Sequence, residues 1–217
     1  MKRAEQQTFD FKSWGGARPG AGRKRIAQRQ CMPHRQRPVL AARHPVHVTL
    51  RLESGLASLR DGRSHFTVRD ALARGAGRFG MRLVHYSVQT NHLHLVCEAP
   101  DERALGRGIK GMCVRIARAL NRLWQRSGRV FADRYHCHVL KSPREVRNAL
   151  AYVLRNAAHH KIHFAGPDPC SSGKWFDGWR EGALMVRGFF ASPLLPARTW
   201  LLAHGWRRHG LIALQGE

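Results

Sequence analysis

Between residues 45 and 52 the chain alternates. In PVHVTLRL, Val46, Val48, Leu50 and Leu52 fall on one side, which predicts a strand. After the turn-forming DGRS of 61–64, residues 66–80 take a helical spacing, with Val68, Leu72, Gly75 and Phe79 near one stripe and Gly80 at the stop. RLVHYSV (82–88) and HLHLVCEA (92–99) read as two strands joined through QTN (89–91) into a hairpin. Pro100 and Asp101 open a long helix, where Leu105, Ile109, Met112, Ile116, Leu120 and Leu123 keep the three-four spacing of a buried face. SGR at 127–129 ends it, and RYHCHVL (134–140) is a fourth strand. Ser142 and Pro143 supply a cap and a first turn for a helix over about 143–162. AGPDPCSSGKWFDGW (165–179) is a loop punctuated by aromatics, and TWLLAHGWRRHGLI (199–212) is one more helix.

The first six elements, strand–helix–strand–strand–helix–strand, spell an α+β, ferredoxin-like (βαββαβ) sandwich. Its central sheet is antiparallel, and its first and third strands lie in the middle. The tyrosine-bearing helix after 142 and a C-terminal extension are additions to that plan. Residues 1–43 have no period. GGARPGAGRKR (15–25) is rich in Gly and Arg and cannot bury enough apolar area to offset its ordering entropy. The organisation expected is a flexible basic arm (1–43), a central domain (44–165) and an extension (166–217).

Charge narrows the partners. Thirty-eight Lys and Arg face fourteen Asp and Glu, a formal +24. Self-repulsion of that size weakens a compact state, so a polyanion is the expected partner, and the arginine fork suits phosphate. Arg18, Arg23, Lys24 and Arg25 of the arm are predicted to contact nucleic acid. Arg115, Arg118 and Arg122 run down one side of the long helix and are either a phosphate track or a solvated face. No apolar run reaches the length needed to span a membrane, and none follows the basic N-terminus. The cysteines (Cys31, Cys97, Cys113, Cys137, Cys170) form no C-x-x-C pair, which reads as reduced thiols in a cytoplasm.

Two histidines stand one residue apart in NHLHLV (91–96). On a strand His92 and His94 share a face with Val96 and Glu98, while Leu93, Leu95 and Cys97 take the other. The leucine face suits the two helices, which leaves the histidine face for something polar. Two parallel imidazoles on a stiff strand make a pre-set ligand pair. The spacing alone is weak evidence, because fourteen histidines produce H-x-H about once by chance. A second pair, His136 and His138, is either substrate-facing or structural. Cys137 lies between them, but alternation turns its sulfur away, so a closed zinc site lacks ligands.

The helix PREVRNALAYVLRNAAHH puts Val146, Ala149, Leu150, Val153, Leu154 and Ala157 on one apolar face. Tyr152 falls nearly opposite, off the core stripe, with Asn156 one turn further along on the same side. A phenol with pKa near 10 is ionised only about one part in a thousand at pH 7. It becomes a useful nucleophile beside a cation that also draws charge from a phosphate. The Asn156 amide oxygen could complete a site with His92 and His94. Two imidazoles and an amide oxygen leave positions open, which suits Mg²⁺ or Mn²⁺ better than zinc.

At this point the chain resembles a family. NHLHLV is similar to the histidine–hydrophobic–histidine motif of the single-tyrosine HUH transposases (IS200-like), and LAYVLRNAA to their tyrosine helix. VFADRYHCHVL resembles the stretch after their long helix, and GGARPGAGRK the N-termini of the REP-associated tyrosine transposases. The resemblance spans about residues 40–165. It departs at Ala157 and Ala158, which stand where relatives usually have Pro and an aliphatic residue; alanine there keeps the helix running to about His160.

The resemblance implies a divalent metal on His92, His94 and Asn156, and a Tyr152 that attacks single-stranded DNA. The product would be a 5′-phosphotyrosine beside a free 3′-hydroxyl, the substrate a repetitive extragenic palindromic hairpin. It also implies a cytoplasmic, nucleoid-associated prokaryotic protein acting as monomer or homodimer. The alternative is a non-cleaving DNA or RNA hairpin binder of the same fold, which the charge and the arm would equally serve.

Overall fold

The computed structural model describes residues 39–159, 164–182, 192 and 194–214. All of them belong to one of two units into which chain contacts divide the protein, residues 32–217. The predicted arm contacts Arg18, Arg23, Lys24 and Arg25 lie outside the described residues.

Strand β1 (Val46–Arg51) buries every second residue, as its alternation requires. Strands β2 (Arg82–Val88) and β3 (His92–Glu98) form the hairpin, with an irregularity in register at Leu83/His85. Strand β4 (His136–Val139) pairs with β1. The sheet order is β2-β3-β1-β4, antiparallel throughout, with β1 and β3 central as the ferredoxin-like reading expects.

Helix α1 spans Gly62–Gly75 and so begins earlier than the spacing suggested. The Asp61 carboxylate accepts from the Ser64 N–H, which makes DGRS a helix cap rather than a free turn. Residues 78–80 form a separate tight turn, with Phe79 at φ 60°. Helix α2 (Glu102–Leu123) starts on Asp101, which accepts from the Ala104 N–H at 2.7 Å. Helices α1 and α2 cover one face of the sheet. Val68 and Leu72 of α1 and Leu105, Ile109, Met112, Ile116 and Leu120 of α2 pack there with Val48, Leu93, Leu95 and Cys97.

The other face is covered too, in part by apolar side chains rather than only by something polar. Helix α3 (Pro143–Leu154), capped by Ser142, lays Val146, Leu150 and Val153 over Val84 and Val96. Phe176, Trp179, Leu202 and Trp206 from the C-terminal segment complete this second core. The predicted helix over 143–162 is interrupted at Arg155, and a short α4 (Asn156–His159) follows. Residues 160–163 lie outside the described residues. The predicted 199–212 helix is likewise a single turn, α5 (Trp200–Ala203), then a tight turn over Gly205–His209. Gly205 carries the reason: a Cβ there would stand 2.6 Å from the Trp200 ring, so the chain bends to let that ring lie on bare backbone.

Two polar ties lock the C-terminal segment to the sheet. The Glu98 carboxylate accepts from the N–H groups of Arg198 and Thr199 and from the Thr199 hydroxyl. Arg60 grips Asp168 with two hydrogen bonds, at 2.9 and 2.8 Å, and also donates to the Val88 carbonyl. Cys97, Cys113 and Cys170 are free thiols.

Candidate functional site

His92 and His94 project from β3 away from the leucine core. His94 is buried and His92 half-buried. Their rings meet at 88°, 4.8 Å between centroids. Helix α3 brings Tyr152 to the same place: its ring stands edge-on to His94, with centroids 5.1 Å apart. Tyr152 is 41% exposed although its helix neighbours Ala151 and Val153 are buried. Its position off the apolar stripe therefore becomes a position at the rim of the sheet face, open to solvent on one side and to the histidines on the other.

The neighbouring strand supplies two residues that sequence reasoning missed. The register sets Thr49 opposite His94 and His47 opposite Val96, and directly opposed residues share a face. His47 Nε2 lies 3.1 Å from His94 Nδ1, and Thr49 Oγ1 lies 3.2 Å from the same nitrogen. His47 also reaches Tyr152, with ring centroids 5.9 Å apart. The signal was present in PVHVTLRL, whose alternation turns His47 and Thr49 away from the Val46–Val48–Leu50 core.

Burial pushes the His47 imidazole down to about 4, with a further push from His136 and His138. Those two side chains are exposed on β4, opposite Thr49 and His47 respectively, on the face that carries His94. Cys137 between them is partly buried against the leucine core, as alternation requires. Among the described residues no group of three or more His, Cys, Asp and Glu side chains is arranged to hold a metal, which leaves a closed zinc site without support.

On His92 the Nδ1 atom faces the Asn91 amide oxygen at 2.9 Å. An amide oxygen only accepts, so His92 donates from Nδ1 and carries its lone pair on Nε2. Asn156, at the start of α4, is only 1% exposed, and among the described residues neither its Oδ1 nor its Nδ2 has a hydrogen-bond partner. A continuous helix would leave Asn156 beside exposed Tyr152. The break at Arg155 instead turns it inward. A fully buried amide with both ends unanswered costs about 1–3 kcal/mol per group, so it calls for a partner that the described residues do not supply. As donor types, two imidazoles and an amide oxygen suit a hard or borderline divalent cation.

Arg115, Arg118 and Arg122 are not part of this site. Helix α2 packs on the leucine face, so these residues sit on the far side of the sheet from His92 and His94. Arg118 and Arg122 are exposed there and Arg115 is half-buried.

No protein-family model and no curated protein matches the sequence. Among solved structures, this fold is similar to that of a REP-associated tyrosine transposase bound to a REP hairpin. The match has a TM-score of 0.54 and 13% identity, covering 76% of this chain and 93% of that one. A protein of Deinococcus radiodurans, provisionally described as a transposase, superposes at a TM-score of 0.40 with 14% identity, over 62% of this chain and 100% of that one. Among the described residues no helix is long and apolar enough to cross a membrane.

Proposed function

We propose that this chain is a metal-dependent enzyme that nicks and rejoins single-stranded DNA at hairpins, with Tyr152 as the nucleophile. The observation that carries the reading is the meeting of Tyr152 with His94, 5.1 Å between ring centroids; the buried amide of Asn156, four residues further along the chain, is a candidate third donor. The shared fold with a transposase solved on a REP hairpin supports the same reading and suggests a REP-type hairpin as substrate.

His92 and His94 would hold a divalent cation through their imidazole nitrogens, with the Asn156 amide oxygen as third donor. A bound Mg²⁺ or Mn²⁺ supplies positive charge that eases ionisation of a nearby phenol and polarises a phosphodiester. The Tyr152 hydroxyl gives up its proton and its oxygen bonds to phosphorus. The P–O3′ bond breaks, and the departing 3′-oxygen takes up a proton. The protein is left joined to the 5′-phosphate, beside a free 3′-hydroxyl. Attack by a 3′-hydroxyl on the phosphotyrosine reverses the step and joins strands. The partly exposed position of Tyr152 leaves room for a strand to enter. The +24 charge draws DNA in, with affinity falling by a log–log slope of about −0.7 per contacted phosphate as salt rises.

The test is a pool of 3′-labelled single-stranded hairpins incubated with Mn²⁺ and resolved under denaturing conditions. The label is expected on the protein, on the peptide containing Tyr152. It should disappear with chelator and in Tyr152→Phe, while hairpin retention persists in both. An adduct that survives in Tyr152→Phe overturns the assignment. Retention without any adduct in the unmodified protein leaves a hairpin-binding protein in place of an enzyme.

A further inference from the structure

His94 Nδ1 has two neighbours at hydrogen-bond distance, His47 Nε2 at 3.1 Å and Thr49 Oγ1 at 3.2 Å. The His47 ring meets both His94 and Tyr152, with centroids 5.2 and 5.9 Å away. From this geometry we infer that His47, with Thr49, is a positioning residue: it keeps the proton of His94 on Nδ1 and buttresses the Tyr152 ring. The inference rests on the proposed metal-dependent reading.

The choice lies between two tautomers. Neutral imidazole carries one N–H, and a metal takes only the nitrogen that lacks it. If Nδ1 of His94 holds the proton, it donates to Thr49 Oγ1 and His47 Nε2 together, and the lone pair falls on Nε2. If Nε2 holds the proton, Nδ1 accepts and the ring presents an N–H where a ligand is needed. Thr49 Oγ1 and the His47 Nε2 lone pair can each accept from that N–H, and the first arrangement is the one proposed. His92 is set the same way by a different device, since the Asn91 amide oxygen faces its Nδ1. Both imidazoles of the pair are thus fixed through Nδ1, one from its own strand and one from β1. The strand register places Thr49 directly opposite His94, which brings its hydroxyl within reach of Nδ1. Partners of this kind orient a ligand and raise its basicity, and their loss typically costs about 10–100-fold in metal affinity.

The experiment has two readouts on the full-length protein. The first is nitrogen-detected NMR of ¹⁵N-histidine-labelled protein without metal. The second is Mn²⁺ binding followed by electron paramagnetic resonance. His94 is expected as the Nδ1–H tautomer in the unmodified protein. His47→Leu should weaken Mn²⁺ about 10–100-fold and shift the tautomer signal, and His47→Gln, which keeps an acceptor, should recover most of the affinity. A His94 found as the Nε2–H tautomer in the unmodified protein overturns the inference, and that reading needs no variant to fold. So does Mn²⁺ affinity unchanged in His47→Leu. If the unmodified protein binds no Mn²⁺, or His94→Ala binds it equally well, the metal-dependent reading itself fails.

Discussion

The ring of Tyr152 stands at 80° to the imidazole of His94, so a helix that packs on the sheet through valine and leucine delivers its one exposed aromatic edge-on to a strand histidine. The contact belongs to the rings. The phenol oxygen is not needed to make it. Tyr152→Phe should therefore leave thermal stability unchanged within about 0.5 kcal/mol. Tyr152→Ala should lose about 0.5–1.5 kcal/mol, the usual worth of an aromatic pair. Melting curves of the two variants check this, and a stable Tyr152→Phe protein makes its loss of adduct a chemical result.

Asp168 and Arg60 tie the loop after residue 164 to the end of β2, beside the turn that leads into His92. Their side chains are 3% and 11% exposed. Asp168→Ala strands a buried guanidinium and is expected to cost about 3–5 kcal/mol. Replacing both partners with leucine should cost much less, since no charge is then left uncompensated. Urea unfolding of the single and double variants separates the two cases.

Glu98 has no counterpart in a bare sheet strand: it is 3% exposed and answers three donors from Arg198 and Thr199. Glu98→Leu removes those acceptors and should release α5 and the tight turn after it from the sheet. Limited proteolysis is expected to cut near residues 197–205 in the variant well before the unmodified protein is touched. The second core, which depends on Leu202 and Trp206, should loosen with it.

Much of this arrangement could be read in advance where a period carries it. Strand β1, the hairpin and α2 follow from spacing alone, and the order of elements leads to β1 and β3 at the centre. The start of α1 was missed because Asp61 and Gly62 suit a turn and a helix cap equally well. The second core was missed because Phe176, Trp179 and Trp206 come from loops and single turns, where no period exists. At Gly178 a Cβ would stand 2.2 Å from the Trp206 ring, a closeness no local pattern announces. His92, His94 and Tyr152 could be named from spacing and resemblance. The approach of His47 to both needs the register of β1 on β3, which is a property of the folded sheet.

Two partly buried histidines predict how stability responds to acid. Burial pushes His85 down to about 4, and His47 is held equally low. Both lie below the ordinary value of about 6.5, so between roughly pH 6.5 and 4 the unfolded chain binds more protons than the folded one. Their contribution is intact above pH 6.5 and is lost as the pH falls toward 4, on the order of 3 kcal/mol each at the limit. Denaturant midpoints should drop between pH 7 and pH 4.5, and His85→Phe should flatten that drop. His85 also lies 3.2 Å from Ser172 Oγ and edge-on to Phe176, so its protonation strikes the second core directly.

Asn156 sets folding against function. Its amide is buried with neither end hydrogen-bonded among the described residues, a cost of about 1–3 kcal/mol per group that a fold alone gives no reason to keep. Leucine is close in volume and brings no polar atom to a position that is only 1% exposed. Asn156→Leu should therefore be neutral or stabilising, by up to about 2 kcal/mol in urea unfolding. The same change should weaken Mn²⁺ binding and abolish adduct formation, because the amide oxygen is gone. Asn156→Gln tests distance rather than chemistry: it retains the oxygen on a longer arm and should keep part of the metal affinity. A leucine variant that is both destabilised and fully active would show that the buried amide serves packing and not the cation.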